Sequence, residues 1–317
     1  MRILFVSSTR LGDAVLTTGL LDYLIRAHPN ARITVATGPV AEGVFARMPN
    51  LEKLIVLRKQ SFGRHWLPFW WFAVRQRWDL VVDVRGSALA WQVLARRRAV
   101  MRRRDGHKTA QLAAMLGLGL GVAPPPLPVA WTGPAERAKA AVLLPPGQPI
   151  IGLGPTANWH GKAWPTENFA ALFQALAVGP LAGARAAIFA GPGPKEETLS
   201  APMRAALPGA IDLCGTLSIP EVAACLERCS LYIGNDSGLM HLAAATGIPT
   251  LGLFGPTPWQ EYSPAGHRAA FVVAPDATMA GLSVAAALDA AIALLRGSSV
   301  ASEAVASEPV ASLGPPA

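Results

Sequence analysis

The sequence predicts an α/β protein made of two Rossmann-like domains, each a parallel β-sheet covered by helices on both faces. Short continuous runs of β-branched and other apolar residues alternate with segments of helical periodicity, as in sheets that are buried on both sides. A proline-rich stretch interrupts this alternation near the middle of the chain, after which it restarts. The length of 317 residues also exceeds what one hydrophobic core usually organises. We therefore expect two domains.

The first domain is expected over residues 1–147. It opens with an apolar strand at residues 2–6, followed by a short polar loop and a helix over 14–28 with apolar residues at helical spacing. A short helix is predicted at 135–144, inside the proline-rich stretch. Further strands of this domain are predicted at residues 33–36, 54–57 and 80–84.

The second domain is expected over residues 148–296. Residues 297–317 lack periodic hydrophobicity, so they are expected to form a disordered tail. The strands of the second domain are predicted at 150–153, 186–190, 211–213, 231–233 and 250–254, and its helices at 166–177, 196–206, 219–228, 237–246 and 283–295.

Composition excludes several classes of protein. Hydrophobic residues make up 51% of the chain and charged residues 15%, which argues against a largely disordered protein. The sequence contains neither an apolar run of membrane-spanning length nor a signal peptide, so a cytoplasmic location is expected. The three cysteines form no CxxC pair and have no histidine at zinc spacing, and are interpreted as small core residues.

Charge is unevenly distributed along the chain. Residues 1–145 contain 21 Lys and Arg against 8 Asp and Glu, whereas residues 146–317 contain 7 against 12. This asymmetry predicts that the first half meets an anionic partner, such as nucleic acid, a phospholipid surface or a phosphorylated substrate. A solvated basic face is the alternative. A nucleic-acid partner is disfavoured because no reading helix or aromatic sheet motif accompanies the arginines.

Ligands of open parallel sheets bind beyond the carboxyl ends of the strands, so functional residues are expected in the loops there. After the first strand, Asp13 follows Gly12 at a helix N-terminus; it is either a catalytic carboxylate or a helix cap. After the strand at 150–153, Lys162 lies among small polar residues and suits a phosphate, unless it is an ordinary surface lysine.

The loop after the strand at 231–233 has the most specific pattern, Gly-Asn-Asp-Ser-Gly followed by His241. Ser237 can cap the next helix while backbone N–H groups, with Gly238 allowing close approach, converge on a diphosphate. The alternative is a capped core helix with a packing histidine. The turn at 254–258 would wall the same cleft.

The sequence lacks the motifs of other classes of nucleotide-binding enzyme. Neither half has a GxGxxG sequence after its first strand, which disfavours a nicotinamide enzyme, and the chain has no Walker A motif. No DxD-like pair of carboxylates occupies a candidate loop, so no metal and no cofactor are expected. A diphosphate would instead be bound by Lys162 and helix N-termini.

Taken together, these segments resemble glycosyltransferase family 9, the lipopolysaccharide heptosyltransferases, over residues 1 to about 296. The resemblance rests on residues 11–13, 162–165, 234–244 and 254–257. It implies a GT-B fold, in which two Rossmann-like domains face each other across a cleft and the final helix crosses back. It also implies an inverting, metal-independent transfer of heptose from ADP-heptose to the lipopolysaccharide inner core.

The resemblance also implies roles for single residues. Asp13 would be the base that deprotonates the acceptor hydroxyl, Lys162 would contact the donor phosphate, and Asp236 would hold sugar hydroxyls. Glu196 would reach the ribose and Thr156 the phosphates. The full set of implied donor-binding residues is Thr156, Lys162, Glu196, Asp236, Ser237, Gly238 and His241.

An anionic lipopolysaccharide core would explain the basic first half. Candidate acceptor-binding residues are Arg58, Lys59 and Arg64, together with the arginine runs 96–98 and 102–104. The aromatic and arginine-rich segment 64–78 is either a contact with the inner face of the cytoplasmic membrane or core packing. Two alternative functions stay open: a GT-B transferase with another nucleotide-sugar donor, and a non-catalytic sugar- or lipid-binding relative.

Overall fold

The computed structural model describes residues 1–102, 105–117 and 124–297. In these ranges the first half of the chain forms a sheet of five parallel strands. Its strands are β1 (Arg2–Val6), β2 (Arg32–Thr37), β3 (Leu51–Val56), β4 (Arg77–Asp83) and β5 (Leu94–Val100). Their order across the sheet is β3-β2-β1-β4-β5, so the buried strand β1 lies in the centre.

The helices of this half follow their strands as expected for a parallel sheet. Helix α1 begins three residues earlier than predicted and buries Ala14, Val15 and Leu21 completely. The aromatic segment forms a helix, α3, whose inner face packs with Trp78 of β4. The helices are α1 (Leu11–Ala27), α2 (Glu42–Phe45), α3 (Trp66–Val74), α4 (Leu89–Gln92), α5 (Lys108–Met115) and α6 (Pro134–Leu143).

The second half forms a sheet of six parallel strands within the described ranges. Its central strands are buried along their whole length, which is why they stand out in the sequence as continuous apolar runs. The strands are β6 (Ile150–Gly154), β7 (Arg185–Ile188), β8 (Ile211–Asp212), β9 (Leu231–Asn235), β10 (Thr250–Phe254) and β11 (Ala269–Val273). Their order is β11-β10-β9-β6-β7-β8.

Helices cover this second sheet as well. The resemblance implies a final helix that crosses back, but the structure differs. The final helix packs against the second sheet, and its buried residues Ala287, Ala291 and Leu294 belong to the core of that sheet. The helices are α7 (Thr166–Val178), α8 (Pro194–Ala206), α9 (Ile219–Leu226), α10 (Gly238–Ala245), α11 (Trp259–Tyr262) and α12 (Val284–Leu295).

Helix pairs join the two halves. Helix α1 packs against α10, and α6 packs against α9. Ion pairs from Lys139 to Glu221 (2.8 Å) and from Arg137 to Glu227 (3.3 Å) flank the contact between α6 and α9. The α1–α10 contact matters for function because each of these helices begins at a loop that the sequence singles out. The domain limits at residues 147 and 296 stay predictions.

Two strands were missed by sequence reasoning. Strand β5 contains the arginine run 96–98, which hides its apolar alternation; it can be charged because it lies at the edge of the sheet. Strand β11, the other omission, is also an edge strand. In the part of the chain that is described, no helix is long and apolar enough to cross a membrane. The predicted tail, apart from Gly297, and Arg103 and Arg104 lie outside the described residues.

Candidate active site

Asp13 lies in the first turn of α1, directly beyond the carboxyl end of β1. Its side chain is half-buried, and Ser8 Oγ donates a hydrogen bond to Asp13 Oδ2 at 3.5 Å. The first turn of a helix presents backbone N–H groups that favour a negative charge. The Asp13 carboxyl group therefore lies at a helix N-terminus and is partly exposed to solvent.

The same carboxylate faces the second half of the chain. Burial, followed by the nearby carboxylates of Asp13 and Glu261, raises the pKa of Tyr262 in α11 to about 12. An electrostatic effect of this kind requires proximity. Asp13 therefore lies where the two halves meet.

The Lys162 ammonium pairs with the Asp236 carboxylate. Lys162 Nζ donates to Asp236 Oδ2 at 2.6 Å, and their side chains are only 16% and 9% exposed. Asn235 fixes the two loops against each other, because its Oδ1 accepts from Trp164 N at 3.0 Å and its Nδ2 donates to Pro155 O at 2.8 Å. A rigid, partly buried ammonium therefore stands at the carboxyl ends of β6 and β9.

Ser237 occupies the N-cap position of α10, but the expected cap is not formed. Its extended backbone (φ −148°, ψ 168°) leaves the hydroxyl without a bond to the first turn. Instead Ser237 Oγ is buried without a hydrogen-bond partner among the residues described. The N–H groups at the start of α10, beginning at Gly238, are thus left uncapped, as an anion site at a helix N-terminus requires.

Further buried polar atoms without a partner accompany Ser237. Within the described ranges these include His241 Nδ1, one turn into α10, and Thr257 Oγ1, beyond β10. Buried polar groups in native proteins are nearly always hydrogen-bonded. Their gathering at one edge of the second sheet indicates a place prepared for a polar ligand.

The two helix N-termini touch at this place. A methyl group on Gly12 would lie 2.8 Å from His241 Cδ2, and one on Gly238 would lie 2.8 Å from Leu11 Cβ. Burial lowers the pKa of His241 to about 4; the Asp236 carboxylate opposes this shift, and His107 and Lys162 add to it. A neutral imidazole therefore lies against the turn that carries Asp13.

The remaining predicted donor residues lie at the same edge of the second sheet. Thr156 follows β6 and is buried. Glu196 lies in the first turn of α8, beyond β7, where its Oε2 accepts from Gly191 N at 3.2 Å. The carboxyl ends of β6, β7 and β9 thus carry all seven residues that the resemblance assigned to the donor.

The predicted acceptor residues Arg58, Lys59 and Arg64 are exposed, at the carboxyl end of β3. Arg58 lines a groove of about 350 Å³ beside Phe72. Hydrogen bonds link this end of the sheet to the loop of Asp13, because Leu57 N donates to Thr37 O at 2.7 Å and Thr37 Oγ1 donates to Ser8 O at 2.8 Å. The cations and the carboxylate therefore share one edge of the first sheet.

Comparison with known proteins agrees with this geometry. The family model described as glycosyltransferase family 9 (heptosyltransferase) matches residues 85–289. The chain belongs to glycosyltransferase family 9. Lipooligosaccharide heptosyltransferase 2 of Haemophilus influenzae is 26% identical to it, over 86% of this chain and 88% of the relative.

Solved structures of Escherichia coli enzymes share the fold of this family 9 glycosyltransferase. ADP-heptose LPS heptosyltransferase II superposes with a TM-score of 0.76 at 19% identity, covering 94% of this chain and 99% of that one. Heptosyltransferase WaaC with ADP gives a TM-score of 0.69 at 19% identity, covering 91% and 98%. The expected GT-B fold is confirmed.

Sequence reasoning missed several residues near the candidate site of this glycosyltransferase. His107, before α5, shares its ring nitrogens between Thr109 Oγ1 (2.8 Å) and Ser263 O (2.9 Å), and so ties the first half to the second. Tyr262 was also missed, and Thr257 was included only as part of a turn. A metal-binding group of three or more His, Cys, Asp or Glu residues is absent from the described ranges.

Proposed function

We propose that this family 9 glycosyltransferase transfers heptose from ADP-heptose to the anionic inner core of lipopolysaccharide, with inversion and without a metal ion. One observation carries the proposal: the turn that holds Asp13 packs directly on the N-terminus of α10, through Gly12 and His241. A base from one sheet and an anion site from the other are thereby brought to a single cleft.

Asp13 is the proposed general base. It removes the proton of the acceptor hydroxyl as the hydroxyl oxygen attacks the anomeric carbon of the donor, a role that typically contributes about 10² to 10⁴ in rate. The half-buried position of Asp13 leaves its carboxylate accessible to the acceptor.

Lys162 and the N-terminus of α10 are proposed to stabilise the leaving nucleotide diphosphate. Negative charge grows on the phosphate oxygens as the glycosidic bond breaks, and fixed donors aimed at that charge lower the barrier. Lys162 supplies a positive charge and the uncapped N–H groups at Gly238 supply donors. These protein groups do the work that a divalent ion would otherwise do.

The arrangement of carboxylates supports the proposal of inversion. Retention by double displacement needs a second carboxylate as nucleophile. Asp236 is the candidate nearest the anion site, and it is engaged with Lys162. A single displacement, with Asp13 on the face opposite the leaving diphosphate, fits the residues better.

The identity of the substrates rests on the relatives and on the groove. The relatives include an ADP-heptose LPS heptosyltransferase and a structure containing ADP. Arg58, with Lys59 and Arg64 beside it, supplies cations for the phosphates and carboxylates of an inner core. These cations are continuous with Asp13 along the edge of the first sheet.

The protein is also proposed to work at the inner face of the cytoplasmic membrane. Most rings of segment 64–78 are packed in the core, including Phe69 and Trp78. Phe62, Leu67 and Trp71, however, are 101%, 64% and 52% exposed, and we call them the apolar ridge. Nearby arginines complement anionic headgroups, an arrangement typical of interfacial helices.

A donor screen tests the proposal. Purified protein is incubated with an extracted core acceptor and with ADP-heptose or with UDP- and GDP-hexoses, with and without a chelator. We expect turnover with ADP-heptose that the chelator does not abolish, and a product anomer opposite to that of the donor by NMR. Turnover with a hexose donor alone contradicts the heptose assignment. Activity lost with the chelator and restored by Mg²⁺ contradicts metal independence.

A further inference from the structure

Tyr232, the second residue of β9, is an unusual residue for the centre of a buried parallel sheet. Its side chain is fully buried, and its hydroxyl has no hydrogen-bond partner among the residues that the structure describes. A buried hydroxyl left unpaired costs stability, so its retention calls for an explanation. Phe189, the aromatic neighbour of Tyr232, packs against the ring and offers the hydroxyl nothing.

Three glycines give the Tyr232 side chain its direction. In the register of β6 and β9, Gly152 pairs with Tyr232 and Gly154 pairs with Gly234. A methyl group on Gly152 would lie 3.1 Å from Cδ2 of the ring, one on Gly234 would lie 2.7 Å from the hydroxyl, and one on Gly154 would overlap that hydroxyl. The ring therefore runs along the sheet face, and its hydroxyl lies beside the last paired residues of both strands.

This position is directly beneath the donor site. The residues that follow the Gly154–Gly234 pair include Thr156 on one loop and Ser237 on the other. The pKa of Tyr232 is raised chiefly by burial; the neighbouring Ser237 hydroxyl opposes this rise, and the Glu196 carboxylate adds to it. The Tyr232 hydroxyl thus stays protonated, and it lies beside Gly154 and Gly234, at the start of the loop that carries Ser237.

Ser237 needs such a neighbour if it is to bind a phosphate. A serine hydroxyl has one proton to donate and two lone pairs to accept with. Ser237 does not cap α10, so nothing in α10 directs its proton. If a neighbouring group donated a hydrogen bond to Ser237 Oγ from the side of the sheet, the Ser237 proton would be free to point towards the ligand.

We propose, on the basis of the proposed function, that Tyr232 is a positioning residue of the donor site. When the nucleotide binds, the Tyr232 hydroxyl, which is unpaired in the structure as Ser237 Oγ also is, donates to Ser237 Oγ and so directs the Ser237 proton at the diphosphate. Glycine is needed at positions 152, 154 and 234, because a larger residue at any of them would displace the Tyr232 side chain. No covalent step is involved.

The test is a double-mutant cycle on ADP affinity, measured by calorimetry with the full chain. We expect Tyr232→Phe to weaken ADP binding about fivefold, the effect of one neutral hydrogen bond, and to leave adenosine binding unchanged. Ser237→Ala also weakens ADP binding, and adding Tyr232→Phe to it has no further effect because the two hydroxyls act as one unit. Tyr23→Phe, at an exposed tyrosine of α1, is the matched control.

A merely structural role predicts a different result. Removing an unpaired buried hydroxyl does not lower the melting temperature of the ligand-free protein, so a fall in ADP affinity without a fall in that temperature supports positioning. In steady-state kinetics the donor KM rises while kcat changes little. Unchanged ADP affinity in Tyr232→Phe, or additive effects in the double variant, overturns this inference. The proposed function is not affected by that result as long as the wild type transfers the sugar. Failure of the wild type to bind ADP overturns both.

Discussion

Gly12 at the start of α1 and His241 in α10 touch so closely that a methyl group on Gly12 would lie 2.8 Å from His241 Cδ2 and 3.4 Å from the Cα of Gly238. This contact joins the two sheets at the point where catalysis is proposed. Position 12 requires glycine because a side chain has no space there. The backbone conformation does not require glycine, since it is helical.

Gly12→Ala should therefore impair transfer more than donor binding. The added methyl group forces α1 and α10 apart, and misplacement of a catalytic group by about 1 Å can cost about 10² in rate. We expect kcat to fall at least about tenfold while ADP affinity changes little. Gly209→Ala, where an added methyl group meets nothing within 4 Å, is the control. Equal kcat values in the two variants would contradict the role assigned to this contact.

Asp13→Asn should abolish most activity and leave ADP affinity nearly unchanged. The amide cannot accept the acceptor proton, and general-base catalysis is typically worth about 10² to 10⁴ in rate. Asp22→Asn is the matched control, because Asp22 lies on the same helix and pairs with Arg26 at 2.6 Å. Normal turnover by Asp13→Asn would show that another group is the base.

Protein stability should fall as pH drops from about 6.5 towards 4, in part because of His241. Burial lowers its pKa in the folded protein from the ordinary 6.5 to about 4. Between these values the unfolded chain binds a proton that the folded protein does not, so the free energy of unfolding falls with pH by about 3 kcal/mol at most.

Urea unfolding at several pH values measures this contribution. His241→Gln should show a shallower decline below pH 6.5 than the wild type, whereas His28→Gln, at an exposed histidine after α1, should keep the wild-type slope. Identical slopes for the wild type and His241→Gln would mean that His241 is protonated in the folded state at these pH values.

The apolar ridge should retain the protein on anionic vesicles. Replacing Phe62, Leu67 and Trp71 by serine removes exposed apolar surface without opening the core, so flotation with anionic liposomes should be lost while the fold stays intact. Trp91→Ser is the control, because Trp91 is 65% exposed but lies outside the ridge. If the wild type itself fails to float with anionic lipid, the membrane contact is wrong.

The sequence predicted the central strands well, and the structure places the candidate residues on the loops that follow them. Strands β1, β6, β9 and β10 are continuous apolar runs, and the parallel arrangement places their carboxyl ends together. The sequence alone therefore predicts that Asp13, Lys162 and Asp236 face one cleft. Family resemblance then supplied their roles, which the fold alone does not specify.

What the sequence did not predict depends on contacts between distant parts of the chain. The pairing of Lys162 with Asp236 joins residues 74 positions apart, and the contact of Gly12 with His241 depends on how the two sheets are placed. Ser237 fits the pattern of a helix cap, but its extended backbone turns the hydroxyl away. Tyr232 is indistinguishable from any core aromatic until the glycines around it are seen.

Strand β5 has a further consequence for the behaviour of the protein in solution. As an outer strand it offers unpaired backbone groups with which another molecule could extend the sheet. Arg96, Arg97 and Arg98 are exposed along it, and Arg98 covers the carbonyls of Ala90 and Val93 with its guanidinium, at 2.7 and 2.8 Å. Two copies aligned edge to edge would oppose like charges. The arginines of β5, which are part of the positive charge in the first half, thus disfavour aggregation through this edge and need no substrate to explain them.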